Sequence, residues 1–163
     1  MNTLMPLDLL KEVHTTDQAS QLLSDIDIFI EMLSTAKTEA LQTELLKRQV
    51  RANIAGMFLA VRTQFYGDSV KIREFFKEVK RQVTLRKRLR LTLAYAPSEG
   101  SIEAISSFVQ GLLGEEVLLE LGQDAGILGG ALIEFGGFYK DCSLKKRIDD
   151  VFARKREEFT LNV

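Results

Sequence analysis

GILGGALIEFGGFYKDCSLKKRIDDV, residues 126–151, holds two glycine pairs, Gly129-Gly130 and Gly136-Gly137, and its reading decides between two kinds of fold. A phosphate-binding loop needs glycines followed by Lys and then Ser or Thr, so that backbone N–H groups and one cation converge on the phosphates. Gly129-Gly130 is followed by Ala131 and Leu132, which supply neither cation nor hydroxyl. A dinucleotide-binding turn opens into a helix, whereas these glycines open into ALIEF, a strand-like run. Phe138 to Asp141 reads as a second strand. The two-residue Gly-Gly link between them suits a primed turn, because both positions take positive φ without a Cβ clash. The stretch therefore encodes a hairpin.

Working outward, Leu144, Ile148, Val151, Phe152 and Phe159 recur at helical intervals and mark a closing helix with Lys145, Lys146 and Arg147 in its first turn. Residues 117–121 read as another strand. In KRLRLTLAYA, residues 87–96, Leu89, Leu91, Leu93 and Tyr95 alternate with Arg90, Thr92 and Ala94, the period of a strand with one oily face that Pro97 stops. Ser98 or Ser101 then caps a helix that buries Ile102, Ile105, Phe108, Val109 and Leu112 and ends at Gly114. A lone hairpin is marginal in water, so the helices at 101–113 and 144–159 are expected to pack on the sheet.

The first half has a different period. Thr15 followed by Gln18 has capping-box spacing, and Ala19, Leu22, Leu23, Ile26, Ile30 and Leu33 follow at helical intervals. Over residues 38–66, Leu41, Leu45, Val50, Ile54, Met57, Phe58, Val61 and Phe65 line one side of a longer helix, with Gly67 placed to end it. Asp68 or Ser69 caps a third helix built on Ile72, Phe75, Phe76, Val79 and Val83. Stripes of this kind bury one another by packing as a bundle. The expected class is α+β, with a helical bundle over residues 1–84 and a small α/β domain over 85–163 that holds a short sheet, the hairpin and two flanking helices.

With 163 residues and 45% hydrophobic content the chain is long enough to bury a core, and its formal charge of -1 provides no net field to draw it onto nucleic acid or anionic lipid. Cys142 is the single cysteine, which rules out an internal disulfide and fits a reducing compartment. No apolar run approaches the roughly 20 residues that span a bilayer, and the start lacks a basic region followed by an apolar block, so a soluble, unprocessed chain is expected. His14 is the single histidine, no CxxC occurs, and Asp149 and Asp150 are adjacent, so no catalytic or metal-ligating set is expected. The segment from Lys80 to Arg90 carries Lys80, Arg81, Arg86, Lys87, Arg88 and Arg90 without an acid, which supports an alternative reading as a small RNA-binding or regulatory domain. Against it, no aromatic lies within the run to stack on bases.

From residue 117 onward the order is strand, Asp124, Ile127, Gly129-Gly130, the strand ALIEF, Gly136, then Tyr139, Asp141, Ser143 and a basic helix start. This order resembles the C-terminal signature of the delta subunit of rotary ATP synthases, the oligomycin-sensitivity-conferring protein of mitochondria. The resemblance reaches back to the strand ending at Pro97 and the helix ending at Leu112 to Gly114, about the last 75 residues. Departures are Ala125 where the family often has Pro, Cys142 where it has Gly, and Gln123 where it has an aliphatic residue. Residues 1–84 also offer three or four helices in place of the family's six-helix bundle, as in a divergent or shortened member.

The resemblance implies a non-catalytic, cofactor-free subunit of the peripheral stalk. Its helical domain would hold the alpha subunits' N-terminal segments, and its C-terminal domain the end of the b-type stalk helix. Nucleic acid is not expected as a partner, and a membrane only indirectly, through a complex on the cytoplasmic side of a bacterial inner membrane or on an organellar inner or thylakoid membrane. Asp124, Gly129, Gly130, Gly136, Asp141 and Ser143 are the signature positions, and Asp141 is the expected cap of the last helix. Met57, Phe58 and Phe65 are candidates for a groove that accepts a partner helix, although each also fits a core position. Lys145, Lys146 and Arg147 are candidates for the stalk-binding face.

Overall fold

The computed structural model describes residues 4–11, 13–35, 38, 40, 43, 44, 46, 48, 50–114 and 117–161, with 156–161 described by backbone alone. They divide into two compact units, Met1–Arg86 and Lys87–Val163. The fold class is α+β, with helices in the first unit and a four-stranded mixed sheet with helices in the second.

The first unit contains α1 (Pro6–Leu10), α2 (Thr16–Thr35), α3 (Ala52–Gln64) and α4 (Ser69–Leu85). The capping box before α2 forms: the Thr15 hydroxyl accepts from the Gln18 N–H at 3.1 Å, and the Gln18 side chain accepts from the Thr15 N–H at 3.2 Å. Asp68 caps α4 by accepting from the N–H groups of Val70 and Lys71. The apolar stripes meet in an aromatic cluster, with ring centroids 5.1 Å apart for Phe29 and Phe58, 5.5 Å for Phe29 and Phe76, and 4.8 Å for Phe58 and Phe76. The last two pairs are edge-on, the arrangement that ring quadrupoles favour. Gln64 clamps Leu4 by accepting from its N–H at 2.8 Å and donating to its carbonyl at 3.2 Å, which brings the start of the chain to the end of α3.

One expectation changes here. The single helix over 38–66 is interrupted, because Arg51 is extended, with φ -55 and ψ 140, and α3 starts after it. At the break the Arg51 side chain pairs with Asp25 of α2 at 3.2 Å, and Asp25 is only 5% exposed. Leu41 and Leu45 lie outside the described residues. At the other end of α3, Gly67 takes the left-handed conformation expected of it, with φ 74, and Tyr66 before it is left-handed as well, with φ 52. Gly67 N–H then bonds to the Arg62 carbonyl and Tyr66 N–H to that of Thr63, closing the helix by a Schellman arrangement.

In the second unit β1 (Lys87–Leu93), α5 (Glu99–Leu113), β2 (Val117–Gln123), a 3-10 turn (Ala125–Ile127), β3 (Ala131–Phe135), β4 (Phe138–Asp141) and α6 (Leu144–Leu161) follow in order. The strands lie in the order β2-β1-β3-β4, with β1 and β2 parallel and the other pairs antiparallel. A parallel pair needs a crossover, and α5 supplies it. The core lies on one sheet face, where Leu89, Leu91, Val117 and Leu119 meet Ile105 and Val109 of α5.

The second unit departs from the sequence reading at three places. β1 ends at Leu93, because Leu93 is the last residue matched by both neighbours, Gln123 and Ala131; Tyr95 lies beyond the sheet and is exposed. On α5 the inward ridge includes Ser106, only 1% exposed, while Phe108 and Leu112 turn outward, each 68% exposed. The closing helix meets the 3-10 turn through its first residues and leaves its apolar stripe uncovered, where packing on the sheet was expected.

Candidate functional site

The signature residues of the second unit lie along one loop system, and most of them hold backbone. Asp124 accepts from the Gly126 N–H at 2.8 Å and so starts the 3-10 turn. Gly129 accepts from the Leu144 N–H at 2.8 Å, tying that turn to the start of α6. Gly130 has φ +75, and a Cβ there would lie 2.4 Å from the Cys142 carbonyl oxygen, so only glycine fits. At the hairpin tip Gly136 and Gly137 have φ of 57 and 83, the positive pair that a primed turn requires.

Asp141 was expected to cap the last helix, but Ser143 does so. Its hydroxyl accepts from the Lys146 N–H at 3.1 Å, and Ser143 is 2% exposed. Asp141 accepts from the Ser143 N–H at 2.8 Å, because a carboxylate two residues earlier reaches only the N–H ahead of the helix. Hydrogen bonding from Ser143, side chain first and backbone second, holds the Asp141 carboxyl below its ordinary value, and Lys146 and Lys145 add to this. Asp124, Ile127, Tyr139, Asp141, Lys145 and Lys146 line a shallow cleft between the turn and α6.

The structure separates the remaining candidates by exposure. Phe58 is fully buried in the aromatic cluster of the first unit and presents nothing to a partner. Met57 and Phe65 are half-buried, Phe65 against Phe75 at 5.8 Å. Lys145, Lys146 and Arg147 are exposed. Sequence reasoning missed the open apolar surface: Phe108, Leu112, Phe138, Val151 and Phe152 are all exposed in the second unit, and Tyr66 in the first. The available signal was that α5 carries more apolar residues than one inward stripe can hold.

The family model for the ATP synthase delta (OSCP) subunit matches residues 8–153. The chain belongs to this family. It is thus a delta-type subunit of the ATP synthase peripheral stalk, a structural part of a membrane complex. No curated protein matches the chain. Among the described residues of this delta-family chain, no helix is long and apolar enough to cross a membrane, and no group of three or more His, Cys, Asp or Glu side chains is placed to hold a metal ion. In the basic segment most cations are engaged within their own unit. Lys80 pairs with Asp27, Arg81 with Glu78 at 2.6 Å, and Arg86 donates to the Val13 carbonyl at 3.1 Å. Arg90 lies between Glu120 at 2.9 Å and Glu134 at 3.7 Å.

Proposed function

We propose that this delta-family chain is a mechanical clamp that links the catalytic head to the stalk and resists the torque of rotation. Residues 1–84 act as one domain and hold the alpha subunits' N-terminal segments, with Met57 and Phe65 at the contact. Residues 85–163 act as a second and hold the end of the b-type stalk helix through the hairpin and the basic start of α6. The chain catalyses nothing and binds no cofactor, and it reaches the membrane only through the complex, on the cytoplasmic side of a bacterial inner membrane or on an organellar inner or thylakoid membrane.

The observation that supports this most is that the family match runs through both units while the second leaves a set of large apolar side chains open to solvent. Permanent contacts bury about 2,000 Å² or more around such apolar centres. The signature residues serve this role indirectly, by keeping the loop system stiff. The test is capture on the full chain of an alpha-subunit N-terminal peptide and, separately, of a b-type stalk subunit. Binding of both is expected, and binding of neither at high micromolar concentration refutes the clamp.

A further inference from the structure

Two apolar surfaces of the second unit lie open, and they belong to opposite faces of its sheet. The first is a groove. Phe138 is matched with Phe135, and Ile133, two residues before Phe135, is matched with Leu91, so β3 and β4 continue the core face. α5 packs over β2, while at β4 that face is bare, with Phe138 83% exposed. At 100° per residue Leu112 and Phe108 lie about 70° and 110° round α5 from the inward ridge of Ile105, Ser106 and Val109. A β1–α5–β2 crossover of the usual right hand turns that flank toward β3. Phe108 and Leu112, each 68% exposed, therefore wall a groove whose floor is Ile133, Phe135 and Phe138. The second surface is the stripe of α6, where Leu144, Ile148, Val151 and Phe152 are 44%, 37%, 53% and 62% exposed within an arc of about 100°.

We infer that the groove seats α6 of a second copy of this chain, in a two-fold pair in which each copy lends its closing helix to the other. A chain cannot fill its own groove with α6 as it stands. Lys145, Lys146 and Asp149 share a cleft with Leu132, Tyr139 and Asp141, which lie on the face away from the core, and the Leu144 N–H is tied to the Gly129 carbonyl at 2.8 Å. The helix is thus anchored on one face of the sheet and the groove lies on the other. Lengths agree: Leu144 to Phe152 covers about 12 Å of helix, and β3 spans about 13 Å, so Lys155 falls past the end of the groove. Area agrees as well. At roughly 200 Å² for a fully exposed large side chain, the four stripe residues with Phe108, Leu112 and Phe138 hold about 800 Å² of open surface, and two symmetric seats bury about 1,600 Å², the size of a stable interface. Two α6 helices laid stripe to stripe leave both grooves empty and set Lys155 in the seam. A reciprocal pair covers both surfaces of both copies with one contact used twice.

The test is analytical ultracentrifugation of the full chain alone, from about 1 to 200 micromolar. A concentration-dependent dimer is expected. Phe152→Asp in the helix and Phe108→Asp in the groove wall should each weaken it roughly tenfold or more. Both side chains are exposed, so circular dichroism should show the fold unchanged. Mixing the two variants is the decisive step, because the unaltered groove of one meets the unaltered helix of the other. One seat is then intact, and a mixed dimer should form more tightly than either variant pairs with itself. A chain that stays monomeric throughout overturns the inference. So does a dimer that Phe108→Asp leaves unchanged, the result expected of stripe-to-stripe pairing, and so does the absence of a mixed dimer. The measurement uses this chain alone, so its failure leaves the clamp reading to be decided separately by capture of a b-type stalk subunit.

Discussion

Replacing Gly130 with Ala should damage the second unit far more than the same change one residue earlier. At 130 two costs add. The backbone has φ +75, where an L-residue is strained by about 1–2 kcal/mol. The new Cβ also lies 2.4 Å from the Cys142 carbonyl oxygen, a backbone atom that cannot swing aside as a side chain can. Cys142 is held in turn by its own N–H bond to the Ala131 carbonyl at 2.9 Å, so relief of the clash pulls on the β3–β4 pairing. We expect a total of about 3 kcal/mol or more, which for a unit of this size lowers the melting temperature by about 12–24 °C. Gly129→Ala meets only the Leu144 side chain at 3.6 Å, an ordinary contact, and should stay within about 0.5 kcal/mol. Gly136→Ala has open space but φ +57, so it isolates the conformational cost of about 1–2 kcal/mol. Urea unfolding of the full chain, with hydrogen exchange at β3 and β4 amides to localise the loss, measures all three. The reasoning fails if Gly130→Ala costs no more than Gly136→Ala, or if Gly129→Ala matches it.

Phe58→Ala should cost about 3–5 kcal/mol by leaving a cavity beside Phe29 and Phe76 in the aromatic cluster, with Phe65→Ala clearly milder, as compared by urea unfolding. Arg51→Ala leaves the 5% exposed Asp25 carboxylate without its partner; because Arg51 is itself partly exposed, the loss should be about 2–3 kcal/mol in the same measurement. The Asp141 carboxyl titrates below its ordinary 3.8 in the folded chain, so its ionised form contributes stability that is complete above that value and lost as pH falls through the lower folded one. Asp141→Asn should therefore flatten the acid limb of a stability-versus-pH curve, recorded as urea midpoints from about pH 5 downward. An unchanged acid limb would show that the bond to Ser143 does not hold this proton off.

Local features of this chain were legible because local physics decides them. Thr15 with Gln18, Asp68, Ser98 and the Gly136-Gly137 turn do what their residue types and spacings demand, since each acts within three or four residues of itself. Helix stripes in the first unit were legible for a related reason: Ile72, Phe75, Phe76, Val79 and Val83 share one face and are all buried. The signature positions were visible as a set, although their separate duties were not. That Ser143 rather than Asp141 caps α6 depends on the path by which β4 delivers the chain to the helix.

By itself, then, the amino-acid order determined the class of fold, the hairpin in place of a nucleotide loop, and the family, because periodicity and turn chemistry act at short range. Tertiary structure alone decided which apolar residues are core. Phe58 and Phe152 look alike in the sequence, yet one packs against two other rings and the other stands in solvent, because burial depends on what a second element brings to the same place. The same holds for the pairing of Arg51 with a carboxylate 26 positions earlier, and for the end of β1, which follows from where its two neighbours stop.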